Sequence, residues 1–421
     1  MKSLTSLLLF CLFLILFILI GHNCINSKDS IASIQPKAIS PLLKDTIIFD
    51  EPKKTYYISE RINLNGKRLI VPSECRLVFN GGCISNGTIC GKNTYLTGKN
   101  KIFDNVNISG TWRADSISTR MFSSLKNDND IQNVIALASP DINNVIIIEK
   151  GDYWVHVGPQ SVTPLIIPSN TVLHLEGKIH MRPNNNKFYS IISIENSSNV
   201  SIIGDGGLIG DRYSHTGIQG EWGHCLHILN SNNVTINRIL IRDAWGDCIY
   251  IGSKSDSVLI DDCVIKGGRR QGISITSGSN IMIRHCTISD VKGTSPEFGI
   301  DVEPNKGDSI KNILICKSKI SNCYGGISCS GKAEKSYIDI VKIDSCTLSN
   351  CQSKFLVGMG RANNVTISNC VINSNNKIAL WSKKVNNCFF QNNRIVSSNK
   401  KPIQIIQCDK IKKENNTILN E

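Results

Sequence analysis

From about Val200 onward the chain alternates apolar and polar residues in short runs, and the runs repeat. Val234-Thr-Ile-Asn-Arg-Ile-Leu-Ile, Val258-Leu-Ile-Asp-Asp-Cys-Val-Ile, Ile281-Met-Ile-Arg-His-Cys-Thr-Ile and Val365-Thr-Ile-Ser-Asn-Cys-Val-Ile share one pattern. Starts at 234, 258 and 281 lie 24 and 23 residues apart, and later runs near 365, 388 and 411 keep a 23-residue step. A period of this size with period-2 alternation predicts stacked coils of short strands. No repeat offers the ten or more residues of 3.6 periodicity that a helical solenoid needs. Each repeat is then one coil of about three strands, and successive coils pair in parallel and in register, roughly 4.8 Å apart. Cys263, Cys286, Cys346 and Cys370 all fall five residues after the first apolar residue of their coil. They predict an inward ladder of small buried side chains. The pairs Asn232-Asn233 and Asn363-Asn364 precede coils, at turns where Asn tolerates left-handed backbone.

The first third reads differently. Residues 44–120 alternate between Gly and Asn turns, as in Leu77-Val-Phe-Asn-Gly-Gly-Cys-Ile-Ser-Asn-Gly, and suggest a small β domain or irregular first coils. Asp128 to Ala138 reads as a short helix with Ile131, Val134, Ile135 and Leu137 on its apolar side. Such a helix would cover an otherwise open hydrophobic end. The expected class is all-β: a solenoid over 127–421 with a short capping helix, a β-rich region over 27–126, and a leader over 1–26. That leader has Lys2 ahead of an apolar run from Leu7 to Ile20, too short to span a bilayer and typical of an export signal. No other stretch is apolar enough to span a membrane. A secreted, periplasmic or cell-surface location follows, and Cys24 is the position a lipid anchor would use, although Gly21, His22 and Asn23 make a poor lipidation signal.

Seventeen cysteines in an exported chain raise the prospect of disulfides, against which the ladder positions argue. The formal charge of +13 is concentrated: residues 310–421 hold 17 Lys and Arg against 6 Asp and Glu. A basic quarter faces either an acidic polymer or only solvent. There is no nucleic-acid motif to favour that partner.

The segment Asp130-Ile-Gln-Asn-Val-Ile followed by Ile148-Glu-Lys-Gly-Asp-Tyr resembles the opening of the pectate-lyase-like right-handed parallel β-helix superfamily, a resemblance that covers roughly 127–421. It implies the fold, and a class that includes lyases, hydrolases, epimerases and non-catalytic members. Trp245-Gly246-Asp247-Cys248-Ile249 is similar to the Gly-Asp-Asp-Cys motif of the polygalacturonase-type glycoside hydrolases. Gln271 stands where that family's Gly-His-Gly histidine would be, His224 replaces an aspartate, and Gly246 replaces the first of the paired aspartates. Of the three aspartates that family uses, Asp247 alone is retained, and its Arg-Ile-Lys is not evident.

The repeat also aligns polar positions. Cys225, Cys248, Gly272, Gly299 and Gly326 begin strands whose next and third-next residues are apolar, which sends His227, Tyr250, Ser274, Asp301 and Ser328 outward in one column, with Glu303 beside Thr276. Just upstream lie His224, Asp247 and Gln271, with Trp222, Trp245, Arg269, Arg270 and Glu297 nearby. Asp247 with Glu297 or Asp301 is the candidate acid–base pair for hydrolysis. For elimination, Arg269 or Arg270 would take the proton, and Asp247, Asp301 and Glu303 would hold calcium. Trp222 and Trp245 suit a sugar platform, with Tyr250 and His224 beside it. The insertion from Gly204 to Gly223 supplies Asp211, Arg212, His215 and Glu221 as further binding candidates, and the insertion around Lys292 to Asn305 would wall the opposite side. An exported polysaccharide-cleaving enzyme, hydrolase ahead of lyase, is the first expectation. A non-catalytic carbohydrate-binding adhesin and a structural spine are the others.

Overall fold

The computed structural model describes residues 42–43, 46–47, 49–123, 125, 130–158, 163–331 and 333–420. The expected leader, with Cys24, lies outside them. Three long sheets of 12, 11 and 10 strands run the length of the repeat region among the described residues, and every strand pair in them is parallel. The chain visits them in a fixed cycle, as in Asn232–Asn237, Leu240–Arg242 and Ile249–Gly252, and then steps to the next coil. Val234 pairs with Val258, Val258 with Ile281, and Val365 with Cys388, so the period read from sequence is the coil step.

The inward positions are closed almost completely. Val234, Ile236, Ile241, Ile249 and Ile251 have no exposure, and each such side chain contributes about 1.5–3 kcal/mol relative to its exposed state. The four ladder cysteines sit at 1% exposure. Every cysteine among the described residues is a free thiol. The ladder position wants a small donor as well as a small volume. Cys263 Sγ donates to the Ile236 carbonyl at 3.6 Å, Cys286 to Ile260 at 3.7 Å and Cys346 to Ile315 at 3.7 Å, while Ser318 takes the intervening rung. The asparagine turns behave as expected. Asn233 and Asn364 have φ of 54° and 52°, and their amides link along the stack, Asn233 Nδ2 donating to Asn199 Oδ1 at 2.9 Å.

The N-terminal segment is itself coiled. Cys83–Thr97 pairs in parallel with Arg61–Asn63, Arg68–Ile70, Arg76–Phe79 and Phe103–Ala114. Ile117–Ser118 then joins the first long sheet by pairing with Ile146 and Ile147. The helix is shorter than the periodicity predicts, Asp130–Ile135, and Asp128 lies outside the described residues. Beyond Ile135 the chain tightens: Leu137 and Ala138 donate to Val134 and Ile135, three residues back. Ile131, Val134, Ile135 and Leu137 are all buried against the first coils, as a cap requires.

Candidate functional site

The site lies on the outer face of the third sheet. Its strands are β1 (Phe188–Glu195), β2 (Trp222–Leu229), β3 (Ile249–Gly252), β4 (Ile273–Ile275), β5 (Phe298–Val302), β6 (Gly325–Ser330), β7 (Phe355–Gly360) and β8 (Ile378–Lys383). Register puts His227, Tyr250, Ser274, Asp301 and Ser328 in one row across β2 to β6, as the repeat predicts. Alternation slips once per strand, because Cys225 and Leu226 are both inward and fully buried. That slip turns His224, Asp247 and Gln271 outward in a second row, one position upstream of the slip.

Asp247 is the hub of the upstream row. Arg270 Nη1 donates to its Oδ1 and Oδ2 at 3.2 and 3.1 Å, and Ser274 Oγ donates to Oδ2 at 2.9 Å. Its backbone N–H donates to His224 Nδ1 at 3.0 Å. His224 Nδ1 is therefore an acceptor and the imidazole proton sits on Nε2. Burial, and then the Arg270 charge, push His224 down to about 3, and burial with neighbouring His227-to-His224 repulsion does the same to His227. Both rings are neutral at physiological pH. Burial pushes the Asp247 carboxyl up, against the pull of Arg270. Its side chain has no exposure at all.

Asp301 is also buried, at 4% exposure. Gln271 Nε2 donates to Asp301 Oδ2 at 2.7 Å. Burial and the charge of Glu303 push Asp301 up to about 7. Glu303 follows two residues later on the same face, is partly exposed, and has no ion-pair or hydrogen-bond partner for its carboxylate among the described residues. Glu297 is turned away: its Oε1 accepts from the Gly293 N–H inside its own loop, so it does not pair with Asp247.

Several expected binders are structural. Trp245 does not form an open platform beside Trp222, because His215 stacks on it at 4.0 Å and the Arg269 guanidinium lies 3.6 Å from its ring centroid. The ring is covered on contacts that hold the insertion in place. Trp222 stacks instead on Phe188, with centroids 4.4 Å apart and planes 2° from parallel. Arg269 donates to the Trp245 and Gly220 carbonyls. Arg212 donates to Gly267 at 2.8 Å and to Lys292 at 2.6 Å. Asp211, fully buried, accepts from Tyr189 Oη, from Asn184 Nδ2 at 2.9 Å and from His215 Nδ1 at 2.9 Å. Arg269, Arg212 and Asp211 spend their polar atoms on backbone and on these neighbours, whereas His215 Nε2 and Trp245 Nε1 are buried without a hydrogen-bond partner. Glu221 stays near the site, its Oε2 3.3 Å from Arg270 Nε without the alignment of a hydrogen bond. Tyr250 accepts from Thr276 Oγ1 at 2.9 Å and keeps a partly exposed ring beside His224 and His227.

The two insertions do not face each other across the strip. Both occur in the turn from the second to the third sheet, and Arg212 ties the first to the Lys292 carbonyl of the second. Insertions in the same turn of coils three steps apart lie along one edge. The calcium reading also fails on geometry. Both Asp247 oxygens are engaged by Arg270 or Ser274 and Asp301 is engaged by Gln271, and no group of three metal-ligating side chains converges among the described residues. Arg270 is unsuited to proton abstraction: burial alone would lower it, but the Asp247 carboxylate outweighs burial and raises it. Sequence reading missed Phe188 and Tyr189, because the insertion hides their register with Trp222 and Gly223.

A family model described as "Right handed beta helix region" matches residues 224–315. The chain is a right-handed parallel β-helix. This β-helix is 32% identical over 160 residues to the protein YclG of Bacillus subtilis (strain 168), covering 33% of the chain and 27% of YclG. It is 29% identical over 224 residues to the SPbeta prophage-derived protein YorA of the same organism, covering 46% of the chain and 37% of YorA. The match thus spans well under two thirds of either relative. Among solved structures the β-helix is similar to the endo-xylogalacturonan hydrolase of Aspergillus tubingensis, with a TM-score of 0.48, 11% identity, and coverage of 72% of this chain and 93% of that one. It is also similar to the polygalacturonase of Erwinia carotovora (TM-score 0.47, 16% identity, 72% and 93% covered) and to the surface adhesin PfbA of Streptococcus pneumoniae (TM-score 0.38, 12% identity, 87% and 84% covered). No helix among the described residues is long and apolar enough to cross a membrane.

Proposed function

We propose that this β-helix acts on a polysaccharide outside the cytoplasm and cleaves it by hydrolysis on the third sheet. Asp301 carries the reading. A carboxyl raised to about 7 beside a second, accessible carboxylate is the pairing by which an acid and a base are told apart. Asp301 gives its proton to the glycosidic oxygen as the bond from that oxygen to the anomeric carbon breaks. Glu303 takes a proton from the water that adds to that carbon. Glu303 lies two residues past Asp301 and one beyond the end of β5, so their Cα atoms are at most roughly 7 Å apart, at the short limit for an inverting pair. Arg270, Tyr250 and His227 lie beside the cleavage point and would orient hydroxyl or carboxylate groups of the sugar. Arg269, Arg212, Asp211 and His215 act indirectly by holding the flanking loop.

The test is product release from a panel of neutral and charged polysaccharides by the parent and by Asp301→Asn and Glu303→Gln. The expected result is loss of product in both variants with glycan binding retained. Undiminished turnover in both would remove the pair from the mechanism. Products absorbing as unsaturated uronates would mean elimination instead. Binding without cleavage is the second reading, favoured by the inaccessibility of Asp247, the one aspartate retained from the polygalacturonase motif. It is established if the parent binds a polysaccharide and releases nothing.

A further inference from the structure

We infer that Gln271 decides which oxygen of Asp301 carries the acidic proton, and that the backbone of Phe298 in turn decides which way Gln271 points. This rests on the reading of Asp301 as the acid and adds a positioning residue to it. Gln271 Oε1 accepts from the Phe298 N–H at 2.6 Å, and Gln271 Nε2 donates to Asp301 Oδ2 at 2.7 Å. A side-chain amide has one accepting end and one donating end, and a backbone N–H can only donate. The oxygen end therefore faces Phe298 and the NH2 end faces the carboxyl. Turning the amide over would set two N–H groups against each other at Phe298. Protonating Asp301 on Oδ2 would weaken the bond that oxygen accepts, whereas protonating it on Oδ1 keeps that bond. The proton of the acid thus sits on Oδ1.

The amide is held in place by the backbone around it. Gln271 has no exposure. Its carbonyl accepts from the Cys248 N–H at 3.1 Å, and the next N–H, that of Gly272, donates to the Phe298 carbonyl at 3.0 Å. Phe298 therefore grips this segment twice, through its carbonyl to Gly272 and through its N–H to the Gln271 side chain. Gly272 permits the close approach: a Cβ there would lie 2.4 Å from the Gly299 carbonyl oxygen. Glycine in a strand marks such places.

The other groups that act on Asp301 do not select an oxygen in this way. Glu303 acts through its charge from two residues along the chain, as do Arg270 and Asp247 from earlier coils. The next coil offers the Ser328 hydroxyl and the buried Cys329 thiol. A hydroxyl rotates to donate or to accept, so Ser328 follows the proton and does not place it. The Gln271 bond also serves the transfer itself. When Oδ1–H passes its proton to the glycosidic oxygen, Asp301 becomes a carboxylate. An N–H already on Oδ2 binds that anion more strongly than it bound the acid. The amide itself carries no titrating proton, so this support is the same on both sides of neutral pH.

The experiment follows the Asp301 carboxyl by carbon NMR against pH in the full chain, in the parent, in Gln271→Met and in Gln271→Glu. Loss of the resonance in Asp301→Asn assigns it. In the parent, the Gln271 side-chain N–H should move with the same midpoint as the carboxyl, toward lower field as the carboxylate forms. Gln271→Met removes the donor and should raise the midpoint by about one pH unit, a tenfold weaker acid. Gln271→Glu keeps an acceptor for the Phe298 N–H, so it tests the contact even if the methionine variant fails to fold. Its second carboxylate should raise the midpoint further. A Gln271 N–H indifferent to the Asp301 titration would overturn the proposal. So would an unmoved midpoint in Gln271→Glu or in a folded Gln271→Met, whatever happens to the melting temperature. Linked titration and raised midpoints without product from any polysaccharide would sink the hydrolase reading and leave the proton placement standing. Turnover lost in Asp301→Asn, with no link between the carboxyl and Gln271, would do the reverse.

Discussion

Arg270 Nη1 donates to both carboxylate oxygens of Asp247, at 3.2 and 3.1 Å, across a single coil step. The aspartate has no exposure and the arginine little, so each is the main counter-charge of the other. Removing one partner of such a pair costs about 3–5 kcal/mol, because the remaining charge stays buried. We expect Arg270→Ala to lower stability by that much and the double change Asp247→Asn with Arg270→Met to recover most of it. Urea midpoints of the three proteins measure this, and a single variant as stable as the parent would contradict it.

Under the proposed hydrolysis, Asp301 imposes a pH limb. Its carboxyl must carry a proton to act, and burial with the Glu303 charge holds it up to about 7. The rate should therefore fall as pH rises through about 7. Glu303→Gln removes the neighbouring negative charge, so the Asp301 carboxyl moves down, which is visible as an acid-shifted carboxyl resonance in that variant. An Asp301 that titrates near the ordinary 3.8 in the parent would refute the assignment.

His224 and His227 make the fold acid-sensitive. Both are held near 3, against an ordinary 6.5. Above 6.5 the folded and unfolded chains leave them equally neutral. Below it the unfolded chain binds protons that the folded one refuses, so stability falls from about pH 6.5 toward 3, by up to about 1.4 kcal/mol per pH unit for each ring. His227→Gln should flatten that loss, measured as melting temperature against pH. An unchanged slope would mean the ring is not neutral in the fold.

The cysteine ladder tolerates change according to size and donor capacity. Ser318 already occupies one rung and donates there to the Cys316 carbonyl at 2.9 Å. Cys286→Ser should cost about 1 kcal/mol or less, since a hydroxyl replaces one donor by another. Cys286→Leu should cost about 1–3 kcal/mol by overpacking. Denaturant midpoints rank the two, and the reverse order would sink the account. Thiol reagents should label these positions only after unfolding.

The β-helix, its coil step and its polar rows were legible because parallel in-register stacking turns sequence spacing into spatial neighbourhood. Once Val234, Val258 and Ile281 are aligned, Tyr250, Ser274 and Asp301 must follow each other on one face. Spacing also exposed the cysteine ladder as interior. Insertions obey no such arithmetic. Which side the two loops take, that Arg212 ties them together, and that Phe188 and not Trp245 lies against Trp222 depend on contacts between segments with no shared register. Accessibility was hidden for the same reason. Asp247 and Asp301 are alike in sequence, both outward on neighbouring rows and both buried at 0% and 4% exposure, but Arg270 closes over the first while the second adjoins the partly exposed Glu303. The one-dimensional repeat determined where each side chain starts; the three-dimensional packing above the sheet decided which of them a ligand can reach.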